Sequence, residues 1–257
     1  MSFSHVSFAG KARRMRNFFS ARNRSLVVAM DHGMMGEFRS LEDIFSVVSK
    51  VTEGGADAIL VTPAIAKHLV SHGKIKIPFI LSIPFEKSYV KYSVKLDADA
   101  VKTTYFGQVP LDWSTINNIS EISLACEEWG MPYMVEIVPT DQEGTVLYDL
   151  EKVKQAARIG AELGGDICKT AYVGPPSEYR KVVTSTLIPI MVMGGAKMGS
   201  VKDVLTMLKE AMESGACGGT IGRNIWQHPN PEKVVKALVA IIHEDKEVDE
   251  ALKKVTG

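Results

Sequence analysis

The feature that most constrains this chain is an alternation. Short apolar runs of four to six residues recur along it, and amphipathic stretches separate them. The runs are Ser25–Met30, Ala58–Val61, Phe79–Ser82, Ala100–Thr104, Tyr133–Val138, Asp166–Lys169, Ile190–Met193 and Gly218–Ile221. They are short, continuous and rich in β-branched residues, as strands covered on both faces are. Between them, apolar residues return at steps of three and four, most clearly over Leu41–Glu53, Trp113–Trp129, Leu150–Leu163, Val201–Ser214 and Pro231–His243. Several helical stretches end on glycine just before the next strand, at Gly55, Gly130, Gly164 and Gly215. Glycine takes the left-handed turn that stops a helix at little cost.

Strands that alternate with helices form a parallel sheet. Eight such units need about 250 residues when the sheet closes on itself, and the chain has 257. No Pro- or Ser-rich linker divides it, so one domain over 1–257 is expected, an α/β (β/α)8 TIM barrel. The rival is an open doubly wound sheet. That fold would place a Gly-rich phosphate turn after its first strand, and no GxGxxG stands there. The segment from Met1 to Arg24 is basic and contains Phe, but lacks the apolar core of a secretory signal. It reads as a short helix closing the bottom of the barrel, with a transit peptide as the less favoured alternative.

Composition excludes several function classes. Lys and Arg total 30, as do Asp and Glu, so bulk charge points to neither nucleic acid nor membrane as a partner. No apolar run reaches the roughly 20 residues of a membrane span. Cys126, Cys168 and Cys217 are scattered without CxxC spacing, which suits a reducing, cytoplasmic setting and no disulfide framework. Neither metal nor organic cofactor is expected. His68 and His72 stand four apart on a helix, but no glutamate completes an HExxH motif, and both are expected to face solvent.

In a barrel of this kind the active site lies at the carboxyl ends of the strands. Those ends carry Asp31 and His32 after strand one, Lys102 in strand four, Glu136 in strand five and Lys169 in strand six. Alternation puts Ile167 and Lys169 on one face and Cys168 on the other. An ammonium on the helix-packed side would lose its hydration for little return, whereas at the inner mouth it meets substrate. Burial there favours the neutral amine, the form that attacks a carbonyl. A lysine salt-bridged at a strand end remains the structural alternative. After strands seven and eight, Gly194, Gly195 and Gly222 let backbone N–H groups approach an anion, and Lys197 and Arg223 add charge. Barrels often bind phosphate at those two loops. Asp31 reads as a proton shuttle or as a cap for the next loop, and His32 as a substrate contact. Lys102 has two readings. If its face is inward, it lies beside Lys169 and can lower that group's pKa; if outward, it snorkels to solvent.

Three motifs carry a family resemblance: Asp166-Ile167-Cys168-Lys169-Thr170, Met193-Gly194-Gly195-Ala196-Lys197 and Gly222-Arg223-Asn224-Ile225-Trp226-Gln227-His228. With the basic stretch Gly10–Met15 and Met30-Asp31-His32-Gly33, they extend the likeness over nearly the whole chain. The sequence resembles the archaeal-type class I aldolases, which form Schiff bases on a (β/α)8 barrel. That group includes fructose-bisphosphate aldolases, an aminodideoxyheptulosonate synthase and the thiolase acting on phosphorylated autoinducer-2. The resemblance implies that Lys169 forms the Schiff base, that Asp31 transfers protons and that the last two loops clamp phosphate. It also implies a phosphorylated small-molecule substrate and a homo-oligomer, in which Ile241–Gly257 can take part. The chain departs from the pattern in one place. Many of these aldolases have Tyr-Pro at the end of strand five, and here Val138 precedes Pro139. Glu136, two residues earlier and on the same face, is the candidate replacement. A thiolase or transaldolase-type synthase on a phosphorylated diketone or deoxy sugar, and a barrel that only binds phosphate ligands, are the competing functions.

Overall fold

A computed structural model describes residues 9–73 and 75–257. The strands are β1 (Ser25–Ala29), β2 (Ala58–Val61), β3 (Phe79–Ser82), β4 (Ala100–Gly107), β5 (Tyr133–Pro139), β6 (Ile167–Thr170), β7 (Ile190–Met193) and β8 (Gly218–Ile221). Each is parallel to its sequence neighbours, and β8 pairs with β1, so the sheet closes into a barrel. The expected strands all form. β4 and β5 run on past their expected ends, because Thr104–Gly107 of β4 pair with Glu136–Pro139 of β5 above the rest of the barrel.

Helices cover the outside. They are α2 (Ile44–Glu53), α3 (Pro63–Ser71), α4 (Ser88–Lys95), α5 (Trp113–Trp129), α6 (Leu150–Glu162), α7 (Pro176–Ser185), α8 (Val201–Glu213) and α10 (Pro231–Glu244), with α1 (Ala9–Phe18), α9 (Arg223–Trp226) and α11 (Val248–Thr256) as additions. Helix starts follow from local chemistry. Asp112 accepts the Thr115 N–H at 2.9 Å, and Asp149 accepts the Lys152 N–H at 2.8 Å. Ser200 and Asp203 form a reciprocal capping box. The stretch expected as helix from Leu41 begins instead at Ile44, because Asp43 caps it and a separate 3-10 turn holds Arg39–Leu41.

Side-chain alternation divides the core in two. Outward residues such as Leu26, Val28, Val135 and Cys168 pack beneath the helices. Inward residues, among them Val27, Ala58, Ile80, Ala100, Met134, Ile167 and Met191, fill the lower barrel. Met15 and Phe18 of α1 belong to that inner cluster, so α1 plugs the bottom as expected. The expectation for Met1–Phe8 falls outside the described residues.

A repeated device ties the bottom together. Asp57, Asp99 and Asp166 stand just before β2, β4 and β6. Each accepts a backbone N–H at the start of the preceding odd strand: Leu26 at 2.7 Å, Phe79 at 2.9 Å and Tyr133 at 2.9 Å. Each is also matched by a side chain from outside the sheet: His243 at 2.8 Å, Asn17 at 2.6 Å and Lys11 at 2.8 Å. Lys11 is fully buried and reaches Glu127 as well. Buried charge is tolerated there because each group has its partner. Before β8 the equivalent residue is Cys217, which bonds Ile190 O through its own backbone N–H at 2.8 Å.

Candidate active site

Above the apolar lower layers the barrel interior turns polar. Ser82, Lys102, Thr104, Glu136, Lys169 and Thr220 all line one cavity at the carboxyl ends of the strands. Ladder register brings them level: Ser82 pairs with Lys102, Thr104 with Glu136, and Glu136 with Lys169. Lys169 lies inward and Cys168 outward, in agreement with the alternation of β6. Lys102 takes the inward alternative.

The four ionisable groups form one chain of contacts. Lys169 Nζ lies 2.6 Å from Glu136 Oε1. Glu136 Oε2 lies 3.0 Å from Lys102 Nζ and accepts the Thr104 hydroxyl at 2.8 Å. Lys102 Nζ lies 2.8 Å from Asp31 Oδ2 and also donates to Thr104 Oγ1. Ser82 provides Asp31 with a further hydrogen bond. Two lysines and two carboxylates therefore neutralise one another in a buried site, the only arrangement in which such charges are stable there.

Burial alone would raise the Glu136 carboxyl's pKa, but the cations of Lys102 and Lys169 hold it below the ordinary value. Asp31 is treated the same way: burial works against its charge, and Lys102, then Lys169, bring it far below the usual carboxylate range. Burial would discharge Lys102, but Glu136 and Asp31 raise its pKa above that of a free lysine. Lys102 is thus a fixed cation between two carboxylates. Asp31 makes no side-chain cap to the 3-10 turn that follows it, so its carboxylate is committed to the site.

His32 stands at the edge of this network. Its ring packs edge-on against Trp226, with centroids 5.2 Å apart, and against Phe38 at 6.0 Å. Trp226 is itself pinned by a 2.9 Å bond from Nε1 to Ala29 O. His32 Nδ1 is buried, has no hydrogen-bond partner among the described residues and lies 3.9 Å from Asp31 Oδ1, too far for a bond. Burial, the largest influence, lowers its pKa to about 4, so the imidazole is neutral near pH 7.

The β7 and β8 loops meet beside these groups. Gly194, Gly195, Gly222 and Arg223 line the cavity. Gly195 has φ +64°, a conformation that favours glycine. Arg223 Nε is buried with no hydrogen-bond partner among the described residues. Asn224 fastens the two loops together: its Oδ1 accepts the Met198 N–H at 2.7 Å, and its Nδ2 donates to Gly194 O at 2.8 Å and Ala196 O at 3.1 Å. Lys197 sits apart. It lines a smaller adjoining cavity, and its ammonium lies 3.5 Å from Gln227 O.

Residues 25–228 match the model of the DeoC/LacD family of aldolases. The chain belongs to that family. It is an aldolase, an enzyme of the lyase type. An uncharacterized aldolase of Saccharolobus solfataricus is 31% identical, over 95% of this chain and 98% of its own length. A 2-amino-3,7-dideoxy-D-threo-hept-6-ulosonate synthase 1 of Archaeoglobus fulgidus is 30% identical, over 95% of each. Among solved structures, a Schiff-base-forming fructose-1,6-bisphosphate aldolase superposes with a TM-score of 0.81, at 24% identity, over 91% of this chain and 100% of its own. This last likeness is one of fold.

The sequence did not mark Ser82, Thr104 and Asn224 as site residues. Thr104 shares the face of Lys102, so alternation was the signal that could have found it. Asn224 lies within a quoted motif, but its bracing role depends on the approach of two loops, which no local pattern encodes. His68 on α3 and His72 just past its end are exposed, and both rings stand against Phe45. Cys168 is buried and Cys217 partly buried, and desolvation pushes both thiols up to about 12, so neither is a thiolate near neutrality.

Proposed function

We propose that this aldolase acts through a Schiff base on Lys169, with Glu136 and Asp31 as the proton-transfer groups and the β7–β8 loops as a phosphate clamp. The observation that carries the reading is the 2.6 Å contact between Lys169 Nζ and Glu136 Oε1 inside a cavity open to substrate. Glu136 takes a proton from the Lys169 ammonium and leaves the free amine, which attacks the ketone carbon. The resulting carbinolamine oxygen receives that proton from Glu136 and departs as water, which leaves an iminium. The iminium draws in the electron pair of the adjacent C–C bond. Asp31 removes the proton from the hydroxyl on the carbon beyond, so an aldehyde leaves and an enamine remains. Protonation and hydrolysis of the enamine release the second product and free Lys169. Lys102 stays charged throughout and keeps both carboxylates in place.

Glu136 thus does from two residues earlier, one layer deeper on the same face, what a tyrosine at 138 would do from the strand end. Supporting the clamp are the unpartnered Arg223 Nε and the glycine backbone of Gly194, Gly195 and Gly222. Supporting a phosphorylated ketose or related carbonyl substrate are the names of the relatives. We place the enzyme in the cytoplasm as a homo-oligomer. The three reduced cysteines fit that setting, and among the described residues no helix is long and apolar enough to cross a membrane. Light scattering on the eluting protein reads the assembly.

Borohydride trapping with peptide mass spectrometry tests the chemistry. Fructose 1,6-bisphosphate, dihydroxyacetone phosphate and a phosphorylated pentanedione are offered separately. The expected result is a reduced adduct on the peptide carrying Lys169, lost in Lys169→Met. An adduct that persists in that variant assigns the nucleophile to another lysine and overturns the reading.

A further inference from the structure

The two oxygens of Glu136 are unequally engaged. Oε1 has one partner among the described residues, the Lys169 ammonium at 2.6 Å. Oε2 has two, the Lys102 ammonium at 3.0 Å and the Thr104 hydroxyl at 2.8 Å. Counting protons fixes the direction of the last bond. An ammonium has three donors and no acceptor, and a hydroxyl has one donor. Lys102 Nζ meets three acceptors: Asp31, Glu136 and Thr104. Thr104 Oγ1 therefore accepts from Lys102, and its own proton goes to Glu136.

The backbone keeps this hydroxyl in place. Thr104 and Glu136 are partners across the β4–β5 ladder, so they stand side by side. Thr103 takes the opposite face and bonds the Tyr133 hydroxyl, which commits Thr104 to the interior. A β-branched side chain is stiff at χ1, so its oxygen holds one position. The charged groups facing Glu136 are Lys102 from β4, Lys169 from β6 and Asp31 from the loop after β1. Protonating Oε2 would displace two donors, one of them charged. At Oε1 the donor present is Lys169, the group that supplies the proton.

We propose that Thr104 is the positioning residue of the Glu136–Lys169 proton transfer: together with Lys102 it holds Oε2, so that the moving proton is confined to Oε1. The proposal rests on the Schiff-base reading given above. The proton that leaves Lys169 Nζ is carried on Oε1 and delivered from Oε1 to the carbinolamine oxygen. The carboxyl has no need to turn between the two steps, and it regains its charge as water departs. Without the hydroxyl, Lys102 lacks one acceptor and the carboxyl is free to turn. Loss of a donor also makes the carboxylate more basic.

The test follows imine formation directly, with dihydroxyacetone phosphate as the probe. Enzyme and probe are mixed in quenched flow and stopped with borohydride. Peptide mass spectrometry then reads the fraction of Lys169 carrying the reduced adduct, over a range of pH and probe concentration. Thr104→Val should lower the saturating rate by about tenfold, the worth of one hydrogen bond to a charged group, with the half-saturating concentration near that of the wild type. The acidic limb of the rate, set by ionisation of Glu136, should move to higher pH. Thr104→Ser keeps the hydroxyl and should restore both. Added to Glu136→Gln, Thr104→Val should bring no further loss, because the hydroxyl acts only through that carboxylate. Circular dichroism checks the fold of each variant. A full rate in Thr104→Val, an unmoved acidic limb, or a further loss of the same size in the Glu136→Gln background overturns the proposal. Failure of the underlying reading looks different: the wild type gives no adduct on Lys169, or Glu136→Gln alone keeps the full rate, and either result takes the proposal with it.

Discussion

At the scale of single residues, the site is governed by compensation of buried charge. Glu136 is 4% exposed and touches both lysines, so its carboxylate is tolerable only as part of the quartet. Replacing it with Gln keeps the shape and removes the proposed proton carrier. We expect kcat to fall on the order of 10²–10⁴-fold, the range of general acid–base catalysis, with a smaller change in KM. Steady-state assays with the substrate found by trapping check this, and full activity would remove Glu136 from the mechanism. His32 gives a pH dependence. Its pKa is lowered from 6.5 to about 4, so between those values the unfolded chain binds the extra proton and the folded chain does not. Its contribution is intact above pH 6.5 and is lost as pH falls towards 4, by up to about 3 kcal/mol. Melting temperatures measured across that window should drop more steeply for the wild type than for His32→Phe, which keeps the ring contact with Trp226. Parallel curves would show that His32 does not titrate this way.

At the scale of elements, two kinds of tie set what each strand presents. Below, the aspartates before β2, β4 and β6 fix pairs of strands and use partners from α1 and α10. Above, Asn224 joins the β7 and β8 loops, and that join decides whether Gly194, Gly195 and Arg223 act on one ligand. Asn224→Leu removes three hydrogen bonds and leaves Gly194 O and Ala196 O without that donor. If these loops clamp phosphate as proposed, it should raise KM for a phosphorylated substrate about as much as Arg223→Ala does, and much more than it lowers kcat, because such a clamp binds ground and transition states alike. A large kcat effect with KM unchanged would place Asn224 in the chemistry instead.

At the scale of the whole molecule, stability and chemistry occupy opposite ends of the barrel. The apolar lower layers, with Met15 and Phe18 of α1 inserted, form one packed unit, and the polar upper layer rests on it. Phe18 is 1% exposed, so Phe18→Ala opens a cavity costing about 3–5 kcal/mol. Chemical denaturation should register that loss, while kcat at 25 °C stays near the wild-type value. A matching loss of kcat would show that the plug also shapes the mouth.

The strands were legible in the sequence because each is a buried apolar run flanked by turn chemistry, and eight of them in 257 residues leave few folds open. A period of two put Lys169 on the face of Ile167, and the cost of burying an ammonium beneath the helices pointed that face inward. For Lys102 the same period gave two faces and no means of choosing, because a threonine stands on each, Thr104 beside it and Thr103 opposite; closure of the barrel chose the inner one. The fate of Glu136 was likewise open. Its contacts come from β4 and β6, which are distant in the chain and are brought together only by register and shear. Sequence determined which residues can carry charge and which face they share. Tertiary structure decided which charges meet, because buried electrostatics depends on separations of a few ångströms that no local pattern encodes.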